Sequence, residues 1–165
     1  MKYLKDTFII LMGLLTGCYK PANELCVPCY ITDDYEYMFD QCGEDFQFCA
    51  VIVEFDRTLD NKGALAVEMN TFFETGDAIV TITHTLDTTL VTCSFGKWNE
   101  SEAITTNPAI GFDSCMVLAK DILPKLNTRY LTLYRPQNSS NSWWVFGNGE
   151  YIMDAETGET IKRSI

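Results

Sequence analysis

The apolar residues of this chain occur in two arrangements, one continuous run near the beginning and several alternating segments further along. Residues 8–15 form the run, and from residue 46 onward come short segments that alternate apolar with polar residues or are rich in β-branched and aromatic ones. Alternation over about four to eight residues is typical of a β-strand with one buried face. The pattern predicts strands over the following segments: 46–55, 78–84, 88–95, 129–135, 142–147 and 150–154, with a short last strand ending at Ile161.

Residues 64–73 fit two patterns. Their apolar residues alternate as in a strand, but Leu65, Met69 and Phe72 also fall on one side of a helix that Gly76 would end. We favour a strand, followed by a turn at 75–77.

One segment favours a helix. Asn107-Pro108 offers a capping side chain followed by a proline suited to a first helical turn. Apolar residues then recur at spacings of three and four, which places them on one helix face: Phe112, Cys115, Met116, Ala119, Ile122 and Leu123. Pro124 cannot continue the helix comfortably, so we expect it to end near there. By contrast, residues 19–45 contain Pro21 and Pro28 among many acidic residues and tyrosines, and we expect them to be irregular.

The beginning of the chain has the three-part layout of an export signal. Lys2 and Lys5 are basic, the apolar run 8–15 follows, and small residues precede Cys18. The run is much shorter than the roughly 20 apolar residues that cross a bilayer as a helix. We therefore expect a signal peptide over 1–17, a tether over 18–25 and a single domain over 26–165.

The stretch Leu15-Thr16-Gly17-Cys18 resembles the lipobox of bacterial lipoproteins. The resemblance implies cleavage before Cys18, diacylation of its thiol and acylation of the new amino terminus. Several acyl chains make a stable membrane anchor. Tyr19 stands where aspartate favours inner-membrane retention in lipoproteins of enteric-type bacteria, so the resemblance implies the outer membrane in preference to the inner. The alternative is an ordinary signal peptide with Cys18 in a disulfide.

Composition and charge narrow the kinds of partner. The hydrophobic fraction of 47% and the aromatic fraction of 13% indicate a folded globule. The formal net charge of -11 argues against nucleic acid or anionic lipid as a partner. An acidic surface is compatible with a basic protein partner.

The chain has seven cysteines, and lipidation of Cys18 would leave an even number. In an exported protein an even set indicates disulfides, here up to three. The candidates are Cys26, Cys29, Cys42, Cys49, Cys93 and Cys115. A bond between Cys93 and Cys115 would pin the predicted helix to the sheet before it; the other pairings stay open. A zinc site or a redox-active Cys26-x-x-Cys29 is less favoured, because the spacing, the oxidising compartment and the lack of a strand-to-helix context oppose them.

The last third of the chain resembles two bacterial module types. Residues 142–147 (SWWVFG) and 151–160 (YIMDAETGET) are similar to the ends of PepSY-like domains, with an Asp-Ala-x-Thr-Gly turn, and of NTF2-fold immunity proteins, with a Trp-x-Val strand. The resemblance implies an α+β fold, a curved antiparallel sheet in a cystatin-like or NTF2-like roll with one main helix packed on it. It transfers no catalytic residue.

The sequence contains few residues in patterns typical of catalysis or ligand binding. His84 is the only histidine, and because it ends a strand of alternating threonines we expect a surface or edge position without a catalytic role. We find no nucleophile elbow, phosphate loop or dinucleotide fingerprint, and predict no cofactor or metal ligand. Trp143 and Trp144 are the binding candidates. Since neighbouring residues of a strand face opposite ways, one should enter the core and the other should face outward.

These observations predict a non-catalytic binding or inhibitory module, held to the cell envelope by Cys18 and recognising another protein. A lipid-anchored hydrolase of cell-wall or carbohydrate substrates stays open, because a catalytic carboxylate pair is a spatial feature that sequence does not display. A structural envelope component is the third possibility.

Overall fold

The structure is a computed structural model that describes residues 24–60, 63–99, 101–104, 108–149 and 151–162. The predicted signal peptide, Cys18, most of the predicted tether and Asn107 lie outside these residues. Among the described helices, none is long and apolar enough to cross a membrane. The elements in chain order are α1 (Val27–Cys42), β1 (Gln47–Phe55), β2 (Ala66–Thr75), β3 (Ala78–Thr85), β4 (Thr89–Phe95), α2 (Phe112–Leu118), two 3-10 turns (Ala119–Asp121 and Leu123–Lys125), β5 (Tyr130–Tyr134), β6 (Trp143–Phe146), β7 (Tyr151–Asp154) and β8 (Thr160–Lys162).

The strands form one antiparallel sheet in the order β4-β3-β2-β1-β5-β6-β7-β8. The α+β class and the antiparallel sheet are therefore confirmed, as is the choice of a strand for residues 64–73, which contain most of β2. The predicted curved roll is not what the chain forms, because the sheet is neither closed nor strongly curled. Nearly every strand pairs with its neighbour in sequence, which produces a broad open sheet.

Period-two alternation gives the sheet two distinct faces. Side chains of one face, here called the core face, make the main hydrophobic cluster together with residues of the helices. Its strand residues include Val51, Val53, Met69, Phe73, Ile82, Leu131, Leu133, Trp144, Phe146 and Met153. Helix residues Val27, Met38, Cys115 and Ala119 belong to the same cluster, so α1 and α2 cover the core face.

The expectation that residues 19–45 are irregular is wrong for most of that range. Helix α1 begins with Pro28 in its first turn, where a proline costs no hydrogen bond, and ends at Gly43, which has φ of 64°. Its buried side chains are Val27, Asp34 and Met38. Because one of the three is a carboxylate, the buried stripe does not read as an apolar stripe in the sequence.

The second helix is shorter than the pattern predicts. Its α-helical part is limited to Phe112–Leu118, its N-cap is Gly111, and the remaining predicted residues form 3-10 turns, with Pro124 inside the second turn. Of the predicted apolar face, Cys115 and Ala119 are buried completely. The apolar spacing is therefore right, whereas the Asn107-Pro108 start signal is not where α2 begins.

The disulfide prediction holds for one pair. Cys26 is bonded to Cys29, whereas Cys42, Cys49, Cys93 and Cys115 are free thiols. The proposed Cys93–Cys115 bond is absent, because the two residues lie in different environments. Cys93 is exposed on edge strand β4, and Cys115 is buried with an exposed fraction of 0% in the core under α2.

Candidate functional site

His84 is buried and hydrogen-bonded, which corrects the expectation of a surface position. It lies in β3 on the core face and is only 4% exposed. Helix α1 runs over it and supplies two contacts. The Asp34 carboxylate accepts a hydrogen bond from His84 Nε2 at 2.7 Å, and the Tyr30 ring stacks on the imidazole with centroids 4.1 Å apart.

The second imidazole nitrogen points toward the edge of the sheet. His84 Nδ1 lies 2.9 Å from Thr89 Oγ1. The register explains this contact, since Thr89 is the β4 residue directly paired with His84 and so projects from the same face. Thr89 is exposed, whereas Asp34 is 3% exposed. The Asp34, His84 and Thr89 side chains, here called the relay, thus run from the interior to solvent.

The donor and acceptor roles in the relay follow from the carboxylate. An ionised aspartate can only accept hydrogen bonds, so His84 Nε2 carries the proton that Asp34 receives. In the neutral imidazole Nδ1 is then an acceptor, and Thr89 donates its hydroxyl proton to it. Asp34 Oδ2 is buried and has no hydrogen-bond partner within the described part of the chain. A carboxylate, an imidazole and a hydroxyl in this order are the groups that general-base activation of a hydroxyl requires.

The disulfide lies at the beginning of the same helix. Cys26 occupies the N-cap position of α1 and Cys29 its first turn, and both residues are exposed. The helical context that the sequence did not indicate is therefore present after the motif. Tyr30, the residue after Cys29, is the one whose ring covers His84. The disulfide thus closes the turn of α1 that positions this ring.

Trp143 and Trp144 lie on opposite faces of the sheet, as expected for neighbouring residues of a strand. Trp144 is 1% exposed in the core, where its indole Nε1 donates to the Ile110 carbonyl at 2.6 Å. Trp143 is partly exposed on the opposite face. The pairing of Trp143 with Tyr134 and Asp154 places these three side chains on that face as neighbours.

The face opposite the core face is here called the open face. It is made by the alternate residues of the central strands: Ile52, Glu54, Glu68, Asn70, Phe72, Thr81, Thr83, Thr132, Tyr134, Trp143, Val145, Ile152 and Asp154. Each α-helix and 3-10 turn described contributes apolar residues to the core cluster on the other side. Trp98, from the loop after β4, packs on Phe72 with ring centroids 5.1 Å apart.

The open face carries an ordered polar network among its apolar residues. Thr83 donates to Asn70 at 2.7 Å, and Asn70 donates to Glu68 at 2.9 Å. Arg129 bridges to Glu54 at 2.8 Å. These contacts hold the polar side chains along the sheet surface. The open face is therefore a broad surface of ordered polar and apolar side chains, with Phe72 and Trp98 on one side of its centre and Trp143 on the other.

The sequence offers the tryptophans as binding candidates but does not reveal the relay. It places Asp34 in an acidic segment expected to be irregular and His84 at the surface. The one available signal was the lone histidine on the alternating face of a strand, which by itself names no partner. No family model, curated protein or solved structure matches this chain.

Proposed function

We propose that this protein is a lipid-anchored component of the bacterial cell envelope whose open face binds a basic segment of another protein. The observation that carries the proposal is the open face itself, which bears Phe72, Trp98 and Trp143 while every described helix packs elsewhere. Tryptophan and tyrosine are enriched among the residues that dominate protein interfaces.

Charge favours a basic partner. The chain has a formal net charge of -11, and the open face presents the carboxylates Glu68 and Asp154, besides Glu54, which is paired with Arg129. Complementary charge mainly accelerates encounter and excludes wrong partners, while the aromatic contacts supply most of the affinity. Binding should therefore weaken as ionic strength rises.

The binding proposal is tested with two arginine substitutions, one on the open face and one on the exposed side of α2. Thr132→Arg lies at the centre of the open face, and Val117→Arg, on a side chain that is 65% exposed on α2, is the matched control. A photo-crosslinker at Trp143 identifies the partner in envelopes solubilised with detergent. We expect Thr132→Arg to weaken the partner's affinity by tenfold or more, on the order of a single hot-spot residue, and Val117→Arg to leave it unchanged. Equal binding by both variants would place the partner on another surface.

The anchor proposal rests on the lipobox resemblance and has its own test. Labelled palmitate should enter the wild-type chain, and Cys18→Ala should abolish the labelling and move the protein from the membrane to the soluble fraction. Cys93→Ala, which removes an exposed thiol of the described domain, should still be labelled. Mass spectrometry of the mature chain should find Cys18 as its first residue. A mature chain that keeps residues 1–17 and carries no fatty acid would refute the anchor.

The relay favours a second candidate function, that of a lipid-anchored hydrolase. His84 would take the Thr89 hydroxyl proton while the Thr89 oxygen attacks the carbonyl carbon of a cell-wall or carbohydrate ester; the ester C–O bond would break, and the leaving alcohol would take that proton from His84. Water, again deprotonated by His84, would then hydrolyse the acyl-threonine to a carboxylic acid and restore the Thr89 hydroxyl. Ester substrates should then be cleaved by the wild type and not by Thr89→Val, while Thr83→Val on the open face should keep the rate. Equal rates for the two valine variants would exclude Thr89 as the nucleophile.

A further inference from the structure

Two of the free thiols line a single pocket at the end of α1. Cys42 is the last residue of α1, and Cys93 lies in edge strand β4. Both line a pocket of about 170 Å³ between the last turns of α1 and strands β3 and β4, together with Met38, Val80 and Val91. We call it the helix-end pocket. It is separate from the open face and from the relay residues.

Of the four free thiols in the described residues, these two are the ones that a reagent can reach. Cys42 is half-buried and Cys93 is exposed, whereas Cys49 and Cys115 are buried. Burial is the main cause that raises the pKa of Cys49 to about 11 and that of Cys115 to about 12. Since the thiolate is the form that attacks a disulfide, the two buried cysteines should stay reduced when the other two react.

One side of the helix-end pocket is the last part of helix α1, and the other side includes the edge strand β4. Strand β4 is bonded to β3 on one side only, because it is the edge of the sheet. Helix α1 ends one residue after Gln41, and Gly43 follows with positive φ. A helix end and an edge strand are held by fewer neighbours than the centre of the sheet, so they can approach each other with little loss of packing.

We propose that Cys42 and Cys93 form a disulfide when the protein is oxidised, closing the helix-end pocket and fixing the end of α1 to β4. The oxidant is another disulfide, either of a small thiol or of a thiol oxidase. One cysteine thiolate attacks it and forms a mixed disulfide, releasing one reduced thiol. The second cysteine thiolate then attacks its partner's sulfur and releases the other reduced thiol. The two cysteines lose two protons and two electrons in total, and the oxidant gains them.

The proposal is tested by equilibrating the purified full chain in mixtures of oxidised and reduced glutathione and then alkylating the native protein. Cleavage after glutamate separates the relevant thiols, because Glu36, Glu44 and Glu54 divide Cys42 from Cys29 and Cys49. As the fraction of oxidised glutathione rises, the alkylated Cys42 and Cys93 peptides should disappear together. A single peptide pair joined through these two residues should replace them in the mass spectrum.

Matched variants distinguish the pair from other pairings. Cys42→Ser and Cys93→Ser should each remove the joined peptides and leave the other thiol open to alkylation, whereas Cys49→Ser should not affect the pair. The wild-type measurement stands even where a variant fails to fold. Alkylation of both thiols in the most oxidising mixture, a stable glutathione adduct, or a bond from either residue to Cys49 or Cys115 would overturn the proposal.

Discussion

Replacing Trp144 by alanine is expected to lower the free energy of unfolding by about 3–5 kcal/mol, the range typical of deleting a large buried aromatic side chain. Trp144 is 1% exposed, and its ring meets Phe112 edge-on with centroids 6.2 Å apart. The variant would also leave the Ile110 carbonyl without the indole N–H that it now accepts at 2.6 Å. The cavity and the lost hydrogen bond act at the same place, between β6 and the start of α2.

The adjacent residue provides the control. Trp143→Ala removes the same side chain one position earlier in β6, but from the partly exposed open face. Its cost should be about 1 kcal/mol, since it leaves no enclosed cavity. Urea unfolding followed by far-ultraviolet circular dichroism measures both variants on equal terms. A Trp144→Ala cost no larger than that of Trp143→Ala would mean that β6 has the opposite face in the core.

The strands of the sheet could be predicted because the pattern that indicates each strand lies within the strand's own residues. Alternation in β3 identifies which residues point to the core, and no distant information is needed for that, whereas the apolar runs of β1 and β6 indicate strands without showing which face is buried. The open form of the sheet, neither closed nor strongly curled, is not predictable in the same way. It depends on strand twist and on how the helices pack, neither of which alternation records.

Helix α1 shows where local patterns fail. Asp34 interrupts its inward apolar stripe in the middle, and its beginning is a Cys-x-Pro-Cys stretch that lacks the usual N-cap residues. The carboxylate is tolerated in the core because His84 satisfies it, and His84 lies 50 residues further along the chain. A pairing over that distance depends on tertiary structure, which is why neither Asp34 nor His84 is identified from its own segment.

The second large expected loss of stability comes from breaking the Asp34–His84 contact. Replacing His84 by leucine leaves the Asp34 carboxylate buried without its donor, and replacing Asp34 by leucine leaves the His84 Nε2 proton without its acceptor. His84→Leu should lose about 3–5 kcal/mol of stability, as is usual when a buried charge loses its partner. Asp34→Leu should lose about 1–3 kcal/mol, the usual cost of a neutral buried donor left unsatisfied. Both side chains are under 6% exposed, so water does not reach them to compensate.

The double variant separates the pair from simple packing. With both positions leucine, no polar group is left unpaired between α1 and β3, and the loss should be smaller than the sum of the two single losses by about 1–3 kcal/mol. Thr89→Val is the control at the exposed end of the relay, where solvent can replace the lost hydroxyl and the cost should be within about 1 kcal/mol. The unfolding free energies of the wild type, the two single leucine variants and the double variant form a double-mutant cycle. If the two single losses simply added, the carboxylate and imidazole would contribute only their volume to this core, and the geometry of the relay would have no energetic role in holding α1 to the sheet.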